Sequence, residues 1–156
     1  MSHIARLYVD QPLDLAQAFA LPEAQSKYLL RVMRLADGAK VRVFNGADGE
    51  WGCTLTVDRK TAILTPEQRL REQETGPTLS LLFAPIKKAR TDFIVEKATE
   101  LGVSDLRPVL TDYTQSQRVR TDRMQLLAIE AAEQTERMDL PSIHEATALP
   151  LSLIHI

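Results

Sequence analysis

The stretch Lys87-Lys88-Ala89-Arg90-Thr91-Asp92-Phe93-Ile94-Val95-Glu96-Lys97-Ala98-Thr99-Glu100-Leu101-Gly102-Val103 decides the fold of the C-terminal half. Just upstream, Leu79 to Ala84 is a nearly continuous apolar run, the pattern of a strand buried on both faces. A helix is expected over residues 91–101, a second strand over Leu106 to Leu110 and a second helix over residues 122–137. Strand and helix alternating through short loops specify a parallel sheet covered by helices. Open sheets of this kind bind ligands outside the carboxyl ends of their strands. Lys87, Lys88 and Arg90, which come after the first strand, are therefore expected at the mouth of a site.

On a helical wheel Ile94, Ala98 and Leu101 form the buried stripe of the first helix, widened by Val95 and Phe93, with Asp92, Glu96 and Glu100 opposite. Gly102 supplies its C-terminal cap. Lys97 falls at the margin of the stripe, where it either emerges beside a cleft or snorkels to water. In the next helix Asp122 is expected to cap, with Gln125 returning the bond. Met124, Leu127, Ala128, Ala131 and Ala132 face inward. Leu126 and Ile129 lie off that stripe and read either as a partner surface or as domain packing. Glu133 precedes Arg137 by four residues, an order that favours a helical ion pair of about 0.3–0.5 kcal/mol.

The N-terminal half has a different grammar. Residues 5–9 read as a short strand and residues 22–34 as a helix opened by Pro22 and Glu23, apolar at Leu29, Val32 and Met33 and ended by Gly38. Alternating segments then run from Lys40 to Phe44, Trp51 to Val57 and Thr61 to Thr65. Asn45-Gly46, Asp48-Gly49 and Arg59-Lys60 supply the reversals. A meander this small must curl to hide its edges, so a compact barrel with one helix is expected. Pro66 to Pro77, charged and bracketed by prolines, reads as a linker, with a domain boundary near residue 75. The domains are placed at residues 1–72 and 79–156, joined by residues 73–78.

Composition excludes several classes. With 156 residues, 44% of them hydrophobic, the chain can bury a core, and 19 basic against 21 acidic residues give a formal charge of −2. Any nucleic-acid contact must then come from local clusters of cations. Cys53, the single cysteine, excludes an internal disulfide and a thiolate zinc cluster and reads as a core thiol. No signal region or run of ~18 apolar residues is present, so the protein reads as cytoplasmic and no membrane partner is expected. Phosphate-loop, dinucleotide, zinc-protease and serine-hydrolase motifs are all absent. His3, His144 and His155 have no evident partner in sequence and read as surface residues, so no metal is expected. In the N-terminal half Arg31 and Arg34 share a helix face with Arg6 and Arg42 on nearby strands, either a phosphate-binding rim or a solvated face.

Arg6-Leu7-Tyr8, Leu30-Arg31-Val32-Met33-Arg34 with Gly38, Lys97-Ala98-Thr99-Glu100-Leu101-Gly102-Val103, Pro108, and Glu130-Ala131-Ala132-Glu133-Gln134-Thr135-Glu136-Arg137 occur in the order seen in a known family. In these stretches the chain resembles the bacterial small-subunit ribosomal RNA (uracil-N3) methyltransferases of the SPOUT superfamily. Thr135-Glu136 stands where members often carry Cys-Gly.

The resemblance implies an α+β protein: an N-terminal PUA-like RNA-binding β-barrel, then an α/β SPOUT (trefoil-knot) domain that binds S-adenosylmethionine, as a homodimer. It implies methyl transfer to N3 of a uridine in 16S ribosomal RNA of the small ribosomal subunit. N3 carries a proton and must lose it before it can attack, so such a site needs cations or donors that favour the imidate. Arg6, Arg31, Arg34, Lys87, Lys88, Arg90 and Arg137 are the expected RNA contacts, and no catalytic residue is assigned. The family's Gly-Pro-Glu-Gly-Gly and Leu-Gly-x-x-x-Leu-Arg-x-Glu-Thr cofactor loops do not occur in residues 1–156, and the tail after Pro150 departs from its pattern. A partial SPOUT domain lacking the knot region, C-terminally truncated and without turnover of its own, is therefore expected. The alternative is an RNA-binding or ribosome-associated module without catalysis. A third reading is an unrelated two-domain regulator that dimerises through Leu126 and Ile129.

Overall fold

In a computed structural model, which describes residues 4–74, 76–114 and 119–149, the chain divides into two compact units, Met1–Glu74 and Thr75–Ile156.

The first unit is built on one five-stranded sheet. Its strands are β1 (Ala5–Tyr8), β2 (Phe19–Ala20), β3 (Lys40–Phe44), β4 (Glu50–Asp58) and β5 (Thr61–Arg71), and its helix is α1 (Glu23–Lys27). The order across the sheet is β1-β3-β4-β5-β2. β1 runs parallel to β3 and the other pairs are antiparallel. Leu7, Val41, Val43, Cys53, Leu55 and Leu64 interlock in the core, each at most 3% exposed. One sheet and one short helix bury such a core only if the sheet curls around it. Cys53 lies inside, where burial pushes its thiol up to about 12.

The turns form where Gly and polar residues stand. Gly46 and Gly49 both take φ +83°, and a Cβ on Gly49 would lie 2.2 Å from the carbonyl oxygen of Arg71. That position needs glycine on both counts.

Two elements differ from expectation. α1 stops as an α-helix at Lys27 and continues as a π-type turn, Tyr28–Val32, closed by the Met33 N–H donating to the Tyr28 carbonyl. The wider turn rotates the residues within and beyond it relative to a regular helix, so Leu29 is fully buried while Val32 is 67% exposed. Arg34, at φ +54°, ends the segment before Gly38 is reached. The segment expected as the start of a linker instead extends β5 to Arg71. Register shifts opposite Glu50–Trp51 and Gly52–Cys53 accommodate it, and a strand tolerates proline at such an irregularity.

The face away from the core carries a buried ion pair. Arg6 Nε lies 2.6 Å from Glu50 Oε1, with Arg42 and Arg71 each 3.7 Å from the same carboxylate. The Arg6 guanidinium also sits 4.0 Å from the centre of the Phe44 ring, a cation–π contact. Ser26 ties α1 to the sheet, its hydroxyl donating to the Leu21 carbonyl and accepting from the Ala62 N–H.

The second unit alternates β6 (Ser80–Phe83), α2 (Lys88–Glu100), β7 (Asp105–Leu110) and α3 (Thr121–Gln134), then adds the short strands β8 (Ser142–Ile143) and β9 (Thr147–Ala148). All strand pairs are parallel. β7 is flanked by β6 on one side and by β8, then β9, on the other. The pairing moves from Leu106↔Ile143 to Val109↔Thr147, so the outer strand gains one residue across His144–Ala146. α2 and α3 pack together through Val95, Ala98, Met124 and Ala128 over Phe83 and Leu106. Right-handed crossovers that advance in one direction place both helices on the same face.

The inward stripe of α2 is Val95, Ala98 and Thr99, with Ile94 at its edge. Phe93 and Leu101, expected inside, are 59% and 82% exposed. The helix starts three residues earlier than expected, and its buried stripe is centred on Val95, Ala98 and Thr99, about 160° from Phe93 on the wheel, while Leu101 is the C-cap past the last turn. Its end obeys the glycine pattern: Gly102 takes φ +88°, its N–H donates to Thr99 and that of Val103 to Ala98, a Schellman motif. In α3, Met124, Ala128, Ala131 and Ala132 are buried. Arg120 occupies the N-cap and no side chain caps there, because Asp122 lies inside the first turn and binds Arg120 instead.

Candidate nucleic-acid interface

Two segments follow the carboxyl ends of the parallel strands, Ala84–Lys87 after β6 and, among the described residues, 111–114 and 119–120 after β7. Thr91, within the first turn of α2, fixes the first loop. Its hydroxyl accepts from the Ile86 N–H at 3.1 Å and donates to the Ile86 carbonyl at 3.0 Å. In the second loop the Thr114 hydroxyl accepts from the Thr111 N–H at 2.7 Å, and the Thr114 N–H returns to the Thr111 carbonyl at 3.0 Å. This tight turn leaves Tyr113 93% exposed at its tip.

Between the loops lies a cavity of about 370 Å³ bordered by Lys87, Arg90, Thr111, Tyr113 and Thr114. Across the Pro85–Ile86 wall, which both share, lies a second cavity of about 350 Å³ with Lys88, Arg120, Arg123 and Asp92 at its rim and Val119 and Met124 beneath. Arg123 grips Asp92 with two nitrogens, Nε at 2.9 Å and Nη2 at 2.6 Å. That bond holds the Asp92 carboxyl below the usual carboxylate range.

Of the seven arginines and lysines expected to contact RNA, Lys87 and Arg90 meet in the first cavity and Lys88 borders the second. Arg31 and Arg34 are exposed on the π-type turn and just past it in the first unit. Arg6 is only 6% exposed and lies against Glu50 and Phe44, which denies a ligand access to it. Arg137 is enclosed as well. Its Nη1 donates to the carbonyls of Thr99 at 2.9 Å and Val103 at 2.8 Å, and Nε pairs with Asp139 at 2.7 Å. It thus clasps the C-terminal end of α2, where orphan carbonyls and the helix dipole favour a cation.

Lys97 points to neither cavity: it is held by Glu96 and Glu100, each at 2.9 Å. His144 has a partner that the sequence did not reveal, Asp105 at 2.9 Å, near the opposite ends of the strands. His3 and His155 lie outside the described residues.

Tyr113, Thr111, Thr114, Arg120 and Arg123 were missed from sequence. The signal available was position: Thr111-Asp112-Tyr113-Thr114 comes directly after an apolar strand, where site loops fall.

Neither cavity suits a sulfonium cofactor. Lys87 and Arg90 line one and three cations against one carboxylate line the other, whereas a sulfonium is itself positive. Phosphates and bases suit both: cations for the backbone, an exposed tyrosine and an apolar floor for stacking.

Residues 73–154 match the RNA methyltransferase domain family and residues 21–67 the RNA methyltransferase PUA domain family. The chain is 31% identical over 123 residues to ribosomal RNA small subunit methyltransferase E of Rickettsia conorii, covering 78% of this chain and 50% of that protein. To the protein of the same name from Synechocystis it is 33% identical over 142 residues, covering 88% of this chain and 46% of that one. It therefore spans about half the length of the curated relatives it matches. The crystal structure of ribosomal RNA small subunit methyltransferase E from Neisseria gonorrhoeae, bound to S-adenosyl methionine, matches with a TM-score of 0.89 at 25% identity, covering 99% of this chain and 66% of that one. The PUA-like N-terminal unit and the methyltransferase-type α/β unit expected from the motifs are thus both present, and the chain belongs to the RNA methyltransferase family.

Proposed function

We propose that this chain serves S-adenosylmethionine-dependent methylation of uracil N3 in 16S ribosomal RNA of the small ribosomal subunit. In this reading its own residues bind and position the RNA, in a protein that acts in the cytoplasm as a homodimer. The observation that supports it best is the cavity at the carboxyl ends of β6 and β7, where Lys87 and Arg90 face the exposed Tyr113. A base stacked on the tyrosine would lie within the field of two cations, which favours the N3-deprotonated imidate over neutral uracil. Arg31 and Arg34 offer phosphate contacts on the PUA-like unit. The names of the relatives support the substrate class, and the ligand in the Neisseria structure supports the cofactor. Among the described residues, no helix is long and apolar enough to cross a membrane.

The described residues supply no methyl-transfer step, since neither cavity fits the methyl donor. That observation favours a second reading, an RNA-binding module without catalysis of its own. Calorimetric titration of the chain with S-adenosylmethionine tests the second reading: heat of binding would refute a module without catalysis, while RNA binding without cofactor binding is the outcome that reading requires. RNA binding itself is tested by fluorescence anisotropy with small-subunit RNA across a salt series. Lys87→Ala with Arg90→Ala is expected to flatten the logarithmic salt slope by about 0.7 per lost phosphate contact. An unchanged slope would count against the cavity.

A further inference from the structure

The second cavity is the feature that a single bound nucleotide leaves unused. Lys87 and Lys88 are neighbours in the chain, yet each borders a different cavity, because the Pro85–Ile86 wall passes between them. Thr91 holds that wall in place through Ile86.

On the far side the lining combines two chemistries. Val119, Met124, Pro85 and Ile86 form an apolar floor, while Lys88, Arg120 and Arg123, with Asp92, supply the charged rim. Among the described residues, Arg120 pairs only with the exposed Asp122, and Lys88 is exposed at the rim. Arg123 is already bound bidentately by Asp92, which makes it a fixed wall. Lys88 and Arg120 are the cations able to move onto a ligand.

We propose that this cavity holds the nucleotide next to the one beside Tyr113, so that a single-stranded RNA straddles the Pro85–Ile86 wall with one base on each side. The inference rests on the RNA-binding reading above and adds a second subsite to it. A cavity of about 350 Å³ lies at the small end of ligand sites, a size that suits a single nucleotide. The two subsites therefore specify a dinucleotide as the smallest ligand that fills both.

The test uses uridylate ligands of one, two and four nucleotides carrying 4-thiouridine. Affinity is measured with the whole chain, and photo-adducts are mapped by mass spectrometry. The dinucleotide is expected to bind about tenfold more tightly than the mononucleotide, with adducts both within Thr111–Thr114 and within Val119–Met124. Lys88→Ala with Arg120→Ala, two exposed positions, should abolish the length dependence and the second group of adducts, while mononucleotide binding and the first group persist. A dinucleotide that binds no better than the monomer, or adducts confined to Thr111–Thr114 and indifferent to the double substitution, would overturn the second subsite and leave RNA binding intact. Failure of the unsubstituted chain to bind any of the ligands would remove the underlying reading together with this one.

Discussion

Arg137→Ala separates a structural arginine from an RNA contact. The Arg137 side chain is 10% exposed and donates to two carbonyls at the end of α2, those of Thr99 and Val103. A hydrogen bond from a charged donor contributes roughly 1.5–3 kcal/mol, and a cation at a helix C-terminus adds about 0.3–1 kcal/mol. Non-additivity and the freeing of Asp139, whose side chain is 41% exposed, reduce the sum, so a loss of about 3 kcal/mol is expected. For a domain of this size each kcal/mol moves Tm by roughly 4–8 °C, so a drop of about 12–24 °C should appear in thermal melts followed by circular dichroism. Hydrogen exchange should show the amides of Leu101 to Val103 opening first. Arg137→Lys should recover less than half of the loss, because one ammonium cannot reproduce the planar fork that spans both carbonyls and Asp139. A variant that keeps its Tm while losing RNA affinity would refute this assignment and return Arg137 to the RNA surface.

The geometry sets two further outcomes. Gly49→Ala should destabilise the first unit by more than about 1–2 kcal/mol, the cost of left-handed backbone alone, since its Cβ also meets the Arg71 carbonyl oxygen; an unaltered urea midpoint would contradict this. The Asp92 carboxyl is held low by Arg123, so the stability it contributes is present above the ordinary carboxylate range and is lost as pH falls through its folded value. Asp92→Asn should therefore be less stable than the parent at neutral pH and converge with it in acid, and parallel pH–stability curves for the two would be the contrary result.

The sequence carried the fold further than the site. β6, α2, β7 and α3 were legible because apolar runs and helical periodicity alternate there without ambiguity, and Gly102 marked a helix end that the backbone adopts. Phe93 and Leu101 were misplaced because the apolar residues of α2 outnumber its buried positions: Phe93 lies about 160° from Val95 on the wheel, and Leu101 stands past the last helical turn as the C-cap. The π-type turn at Tyr28–Val32 and the extension of β5 through Pro66 carry no local signal, since pairing with β4 decides the strand. The place of Lys87, Lys88 and Arg90 beside the cavities was legible because they follow a strand. Arg120 and Arg123 escaped because only the packing of α2 against α3 brings them to Lys88. Arg6 and Arg137 show the converse: their charge suggested a surface role, while the pairing of Arg6 with Glu50 and of Arg137 with helix-end carbonyls depends on contacts 44 and 34–38 residues distant in sequence.

Glu50, fully buried against Arg6, also penalises mispairing. Side chains alternate between the faces of a strand, so a slip of one residue between β3 and β4 transfers every side chain to the opposite side. Glu50 would then turn toward Val43, Cys53 and Leu55, where it would meet no cation, and an uncompensated buried carboxylate costs several kcal/mol. The apolar residues already oppose a one-residue slip, which would expose Val41, Val43, Cys53 and Leu55, and one acid with its arginine adds to the preference for the alignment in which Phe44 stands opposite Glu50.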